Sequence, residues 1–188
     1  MVMMRKTSYA AFIAAFFLVM PAAAEQFDAK VIGVADGDTL TVLFVDGQTK
    51  MPRRVRLSGI DAPEKAQAFG AVAREQLSQL AFGRVGRLDC RAADQYGRSL
   101  CVVRVDGVDV GMRMVELGLA WHYKRYASSQ PREEAASYAM AESAARVARA
   151  GLWRDLGTAA APVPPWDWRR ASAGEGWPPV KDRPWPGT

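Results

Sequence analysis

Nine consecutive residues, Arg56-Leu57-Ser58-Gly59-Ile60-Asp61-Ala62-Pro63-Glu64, carry one guanidinium and two carboxylates. Such a set suits phosphodiester chemistry. Carboxylates can hold a metal ion and take a proton from water, and a guanidinium grips phosphate oxygens. Val55 and Leu57 alternate with Arg56 and Ser58, the pattern of a strand with one buried face. On strict alternation Arg56 and Asp61 would face opposite sides. Gly59 is the place where a bulge or bend can bring them round. Pro63 ends the strand and can open a helix. Taken alone, the nine residues fit a surface ion pair at a strand end better than they fit a site.

The surrounding elements must decide between the two. From Phe27 to Val45 the pattern is β, interrupted by Asp36-Gly37-Asp38-Thr39, where Asp-Gly signals a turn or bulge. Asp46-Gly47 turns the chain again, and Arg53–Ile60 returns as a strand. Lys65–Leu80 reads as a helix with Val72, Leu77 and Leu80 on its apolar face and Gly83 as its stop. Arg84–Arg91 and Arg98–Val105 are two further strands, joined through Asp94-Gln95-Tyr96-Gly97. A second helix runs from about Asp109 to Leu117. A third is opened by Pro131 and closed by Gly151, with Glu133 and Glu134 in its first turn and Arg146 and Arg149 in its last. Five strands with one helix between the third and fourth match a five-stranded OB-type β-barrel in an α+β domain of three helices. The body spans 25–156. The segment 157–188 is crowded with Pro and Trp; Pro162–Arg170 reads as extended and docked by its tryptophans, and Ala171–Thr188 as mostly disordered. Such a tail could also be a ligand for a partner with an aromatic groove.

The first 24 residues have the form of an export leader. Arg5 and Lys6 precede the apolar stretch Ala10–Met20, and Ala22-Ala23-Ala24 offers a cleavage pattern. The apolar run is short for a membrane anchor, the other reading. Cleavage after Ala24 leaves 164 of the 188 residues, a suitable length for one domain with its own core, and places the product in the periplasm or outside the cell. The net charge of +5 falls to +3 without Arg5 and Lys6, which permits a polyanionic partner without demanding one. Cys90 and Cys101 flank the Asp94–Gly97 turn. An oxidising compartment would let them pair, provided they share a face of the hairpin. With a single histidine, His122, and two cysteines, the chain offers no zinc cluster. Carboxylates and carbonyls suit a hard ion, Ca²⁺ or Mg²⁺, and proton transfer falls to a carboxylate. His122, Trp121, Tyr123 and Tyr126 read as packing residues of an aromatic connector, and Arg53-Arg54 as solvated charge.

Four further stretches accompany the first in fixed order: Asp36-Gly37-Asp38-Thr39, Asp94-Gln95-Tyr96-Gly97-Arg98, Leu117-Gly118-Leu119-Ala120-Trp121 and Gly151-Leu152-Trp153. In this ordered set the sequence resembles the thermonuclease family, the staphylococcal-nuclease-like enzymes that cut DNA and RNA, over roughly Phe27 to Asp155. Pro165-Trp166-Asp167-Trp168-Arg169-Arg170 also looks like a tail of exported bacterial members. The resemblance implies calcium held by Asp38, Asp61 and the backbone carbonyl of Ala62, a position where members often carry threonine. It implies Glu64 as general base and Arg56 and Arg98 as the phosphate-holding arginines. Tyr96 would line the nucleotide site, with Gln95 where a lysine often stands. A monomeric calcium-dependent endonuclease with a DNA or RNA substrate is the expectation. Its rivals are a non-catalytic OB module that binds nucleic acid in the same groove, and a periplasmic interaction protein whose working part is the tail.

Overall fold

The computed structural model describes residues 24–174. The expected leader, Ala24 apart, and the last fourteen residues of the expected disordered tail lie outside the described residues. Strands β1 (Glu25–Val34), β2 (Thr39–Asp46) and β3 (Thr49–Leu57) form an antiparallel meander. Strand β4 (Val85–Ala93) pairs antiparallel with β1, and β5 (Ser99–Val105) pairs antiparallel with β4. A short parallel seam joins β3 to β5, with Val55 opposite Ser99, Arg56 opposite Leu100 and Leu57 opposite Cys101. That seam closes the five strands into the expected OB-type barrel. The alternation that marks the strands is also what fills it: Val31, Leu40, Val42, Val55, Leu57, Leu88 and Val103 point inward and are buried. Pro52 lies within β3, earlier than the expected strand start. Its missing N–H is tolerated there because β3 pairs with β5 only at 55–57.

Four α-helices stand among the described residues, not three. Helix α1 is Gly70–Ala81, α2 is Val110–Glu116, α3 is Arg132–Val147 and α4 is Pro165–Ser172. The fourth falls in the stretch expected to be extended. Its prolines do not prevent it, because Pro165 occupies the first turn, where no intrahelical donor is required. Asp167 and the pair Arg169 and Arg170 complement the two ends of the dipole.

Helix α1 starts five residues later than expected. The chain from Glu64 first makes tight turns, with the Gln67 and Gly70 amides donating to Glu64 and Gln67 carbonyls. Gly70 is so close to the Glu64 carbonyl that a Cβ would lie 2.0 Å from its oxygen. The inward face of α1 is Ala73, Leu77 and Ala81, while Val72 is exposed. Helix α3 ends at Val147 rather than at about Ala150. Arg149 takes the left-handed conformation, and Gly151 instead begins a 3₁₀ turn, Gly151–Asp155, packed against the Leu117 and Gly118 carbonyls. A second apolar cluster, Trp121, Ala145, Leu152 and Trp153, seats α3 beside the barrel, and Trp166 of α4 packs onto its edge. Cys90 and Cys101 are direct register partners on β4 and β5 and are joined by a disulfide. Among the described residues no helix is long and apolar enough to cross a membrane.

Candidate active site

The turn between β1 and β2 sets Asp38. The Asp36 carboxylate accepts from the Asp38 amide at 3.1 Å, an Asx-type turn, and the Ala35 amide donates to the Thr39 carbonyl at 2.8 Å. The Asp38 carbonyl then accepts from the Leu57 amide, so the turn is fastened to the end of β3. On the side chain, Oδ1 accepts from the Thr39 hydroxyl and Oδ2 from the Ala62 amide. Burial, and then the neighbouring Asp38 charge, push the Asp36 carboxyl above the usual carboxylate range.

Gly59 brings Asp61 round. It adopts the left-handed conformation (φ 77°) in a turn after β3, and the Ile60–Asp61 pair then bonds to Trp121–His122. The five-residue spacing thereby converges. Arg56 Nη1 reaches Asp38 Oδ2 at 2.9 Å and Arg56 Nη2 reaches Asp61 Oδ1 at 2.8 Å. Burial opposes the charge of Arg56, but the two carboxylates outweigh it and hold its pKa above the ordinary value. The Asp61 carboxylate is almost wholly buried (1 % exposed). That burial raises its pKa even against the two guanidiniums beside it.

Glu64 lies at the rim of the groove, its amide donating to Gln67 Oε1 and its side chain 39 % exposed. Arg98 is placed from the opposite wall by Asp94, which accepts from Arg98 Nε at 2.7 Å and from the Tyr96 and Arg98 amides. Arg98 Nη1 also approaches the Thr39 hydroxyl at 3.4 Å. Tyr96 projects into solvent beside Arg98, whose guanidinium lies 5.4 Å from its ring. Asp38, Arg56, Asp61, Ala62, Glu64, Tyr96 and Arg98 thus line one open groove of about 860 Å³. Cys90 and Cys101 belong to the barrel wall instead, and His122 is buried with its Nε2 3.1 Å from Gln130 Oε1. Arg53 is not plain solvated charge: it lies 3.8 Å over the Phe44 ring and pairs with Glu25.

Sequence reasoning missed one member. Arg169 of α4 reaches into the groove, with Nη2 2.7 Å from Asp61 Oδ2 and Nη1 2.7 Å from Glu64 Oε1. The signal lay in the Trp-Asp-Trp-Arg-Arg stretch itself, whose basic end is the last turn of a short helix. Asp94, in sequence only a turn residue, is the residue that aims Arg98. Among the described residues no group of three or more His, Cys, Asp or Glu side chains gathers to hold a metal. The oxygens that do converge are those of Asp38 and Asp61, which one guanidinium spans. A second cation, Arg169, is drawn to Asp61 from 108 residues away. This all-oxygen, cation-seeking pair fits a hard divalent ion in donor chemistry.

A closed OB barrel with paired acids and arginines in one surface groove defines the class. The chain belongs to the Staphylococcal nuclease homologue family, whose profile matches residues 54–155. Among curated proteins it is 36% identical over 166 residues to an "Uncharacterized endonuclease" of Haemophilus influenzae, covering 88% of this chain and 86% of that one. It is 39% identical over 183 residues to "Protein ParB" of Escherichia coli (90% of this chain, 96% of that one). It is 38% identical over 156 residues to a "Micrococcal nuclease" of Shigella flexneri (78% and 83%).

Proposed function

We propose that this protein is a metal-dependent nuclease that hydrolyses phosphodiester bonds of DNA, RNA or both, with Ca²⁺ as its ion and Mg²⁺ as the alternative. One observation carries the reading: Asp38 and Asp61 are bridged by Arg56 in the same groove that holds Glu64 and Arg98. Asp38, Asp61 and the Ala62 carbonyl would hold the ion. When bound, it supplies positive charge against the phosphate and acidifies water. Glu64 takes the proton of an attacking water, whose oxygen forms the new bond to phosphorus. The opposite P–O bond breaks, and the departing oxygen takes up a proton. Arg56 and Arg98 hold the non-bridging oxygens as charge builds on them. Arg56 already donates from both terminal nitrogens to carboxylates, so its role includes fixing the acids as well as gripping phosphate. Tyr96 offers its ring to a base.

Glu64→Gln should lower turnover by about a hundredfold or more while binding of nucleic acid survives, read on heat-denatured DNA and on RNA with Ca²⁺, Mg²⁺ or chelator. Full activity in this variant would remove Glu64 from the base role. The neutralisation of Asp61 and Glu64 by Arg169 favours one rival, a non-catalytic OB module; binding without cleavage in either metal would establish it. The leader-like segment and the Cys90–Cys101 disulfide support action in the periplasm or outside the cell. Exported protein should then begin at Glu25 by N-terminal sequencing, and an intact leader on the active form would refute this.

A further inference from the structure

Arg169 occupies an unusual position for a side chain so far along the sequence. Asp61 uses both oxygens on guanidiniums: Oδ1 accepts from Arg56 at 2.8 Å and from Arg169 at 3.3 Å, and Oδ2 accepts from Arg169 at 2.7 Å. The second nitrogen bond of Arg169 goes to Glu64. One cation therefore spans the buried acid and the rim acid of the proposed nuclease. Asp61 is 1 % exposed, whereas the Arg169 side chain is 43 % exposed. The acid is fixed in the body, and its partner arrives from the surface.

The element that delivers Arg169 is lightly attached. Helix α4 buries only Pro165. Trp166 stacks on Tyr123 with centroids 5.5 Å apart and meets Trp121 edge-on at 6.3 Å. A hydrogen bond from Gln67 to the Val163 carbonyl holds the segment that leads in. Such contacts can be released as a unit without opening the barrel.

A buried carboxylate is strongly unfavourable without a compensating cation. A divalent ion and the Arg169 guanidinium would both answer that need at the same carboxylate. An ion held by that carboxylate would share it with the guanidinium, and the two positive charges would repel. We propose that Arg169 is a tethered cation that exchanges with the divalent ion at Asp61 and Glu64. Helix α4 is then a built-in brake, seated on the acids through Arg169 and displaced from them when the ion binds. The inference rests on the metal-dependent reading above and adds the regulation of the same groove.

Calorimetric titration of the full mature chain with CaCl₂ tests it, comparing wild type with Arg169→Gln and Arg169→Lys. Arg170→Gln serves as control, because Arg170 pairs with Asp167 on its own helix. Removal of the competitor should tighten calcium binding by about tenfold or more in Arg169→Gln and by less in Arg169→Lys, with Arg170→Gln at the wild-type value. Calcium should also change wild-type tryptophan emission in a way that Trp166→Phe abolishes. Circular dichroism confirms that each variant is folded. Equal or weaker calcium affinity in folded Arg169→Gln would overturn the exchange while leaving the metal reading intact. Failure of every form, wild type included, to bind Ca²⁺ or Mg²⁺ would overturn both.

Discussion

Asp94 holds the aim of Arg98, and its removal separates the charge of that arginine from its placement. Asp94 accepts three bonds: from the Tyr96 amide at 2.9 Å, the Arg98 amide at 3.0 Å and Arg98 Nε at 2.7 Å. The side chains are 21 % (Arg98) and 15 % (Asp94) exposed, so the pair is only partly screened by water. Without Asp94, the one hydrogen bond left on the Arg98 guanidinium among the described residues is the long 3.4 Å contact to Thr39. Loss of an oriented donor to a developing oxyanion lowers kcat by roughly 10²–10³. Asp94→Ala keeps the donor and loses only its orientation, so kcat should fall by about tenfold to a hundredfold. Stability should drop by about 1–3 kcal/mol as the hairpin turn loses its acceptor. Asp94→Asn retains an acceptor for the two amides, so its hairpin should recover most of that stability while kcat stays low. Burial pushes the Asp94 carboxyl up, but the Arg98 amide, the Arg98 side chain and the Tyr96 amide together hold it below the usual carboxylate value. A folded pKa below the unfolded one contributes stability above the unfolded pKa and loses it as pH falls through the folded pKa. The melting difference between Asp94→Ala and wild type should therefore be full at neutral pH and shrink in acid. Steady-state kinetics on denatured DNA with parallel melts across pH make the test. A destabilised Asp94→Ala with wild-type kcat would refute the idea that Asp94 positions a working arginine.

Two further outcomes follow from a buried polar contact and from the disulfide. Tyr138 donates to both oxygens of Asp109 at 3.0 Å, and Asp109 also caps α2 by accepting from the Met112 amide. Burial raises the Asp109 pKa above its unfolded value, so ionisation lowers stability as pH climbs through that interval. Tyr138→Phe should widen the interval and lower neutral-pH stability by about 1–3 kcal/mol, with a smaller penalty once Asp109 is protonated, as melts at several pH values will read. Replacing Cys90 and Cys101 together by alanine releases a crosslink between residues 11 apart. It should lower stability by about 2–3 kcal/mol in denaturant titrations with kcat preserved, since the disulfide lies in the barrel wall.

The barrel was legible because its strands alternate and its turns carry Gly at positions of positive φ, as at Gly47, Gly59 and Gly97. Asp38, Arg56 and Asp61 were legible as a spacing, and Gly59 marked the bend that unites them. What escaped was set by contacts distant in sequence. The expected helix from Lys65 is delayed because Gly70 must lie against the Glu64 carbonyl and Gln67 must reach the Val163 carbonyl, 96 residues on. The prolines of the tail suggest an extended chain, yet Pro165 at a first turn and arginines at a last turn are ordinary helix signals. Composition outweighed position there, and Arg169 was lost with the helix that carries it.

Barrel register and site geometry are one constraint in this chain. Thr39 on β2 is the register partner of Arg56 on β3, and Arg56 is in turn opposite Leu100 at the parallel seam that closes the barrel. The Asp38 carbonyl is bonded to the Leu57 amide at that same corner, and the Ala62 amide returns to the Asp38 side chain. A slip of one residue between β2 and β3 would turn Arg56 to the opposite face and part it from both carboxylates. It would also bring the neighbouring core positions Val55 and Leu57 outward, so the same hydrophobic pattern that closes the barrel forbids the slip. The buried acids are therefore held together by apolar side chains of the barrel interior. Substitutions at Val55 or Leu57 should reach the groove through the position of Arg56 before they unfold the domain.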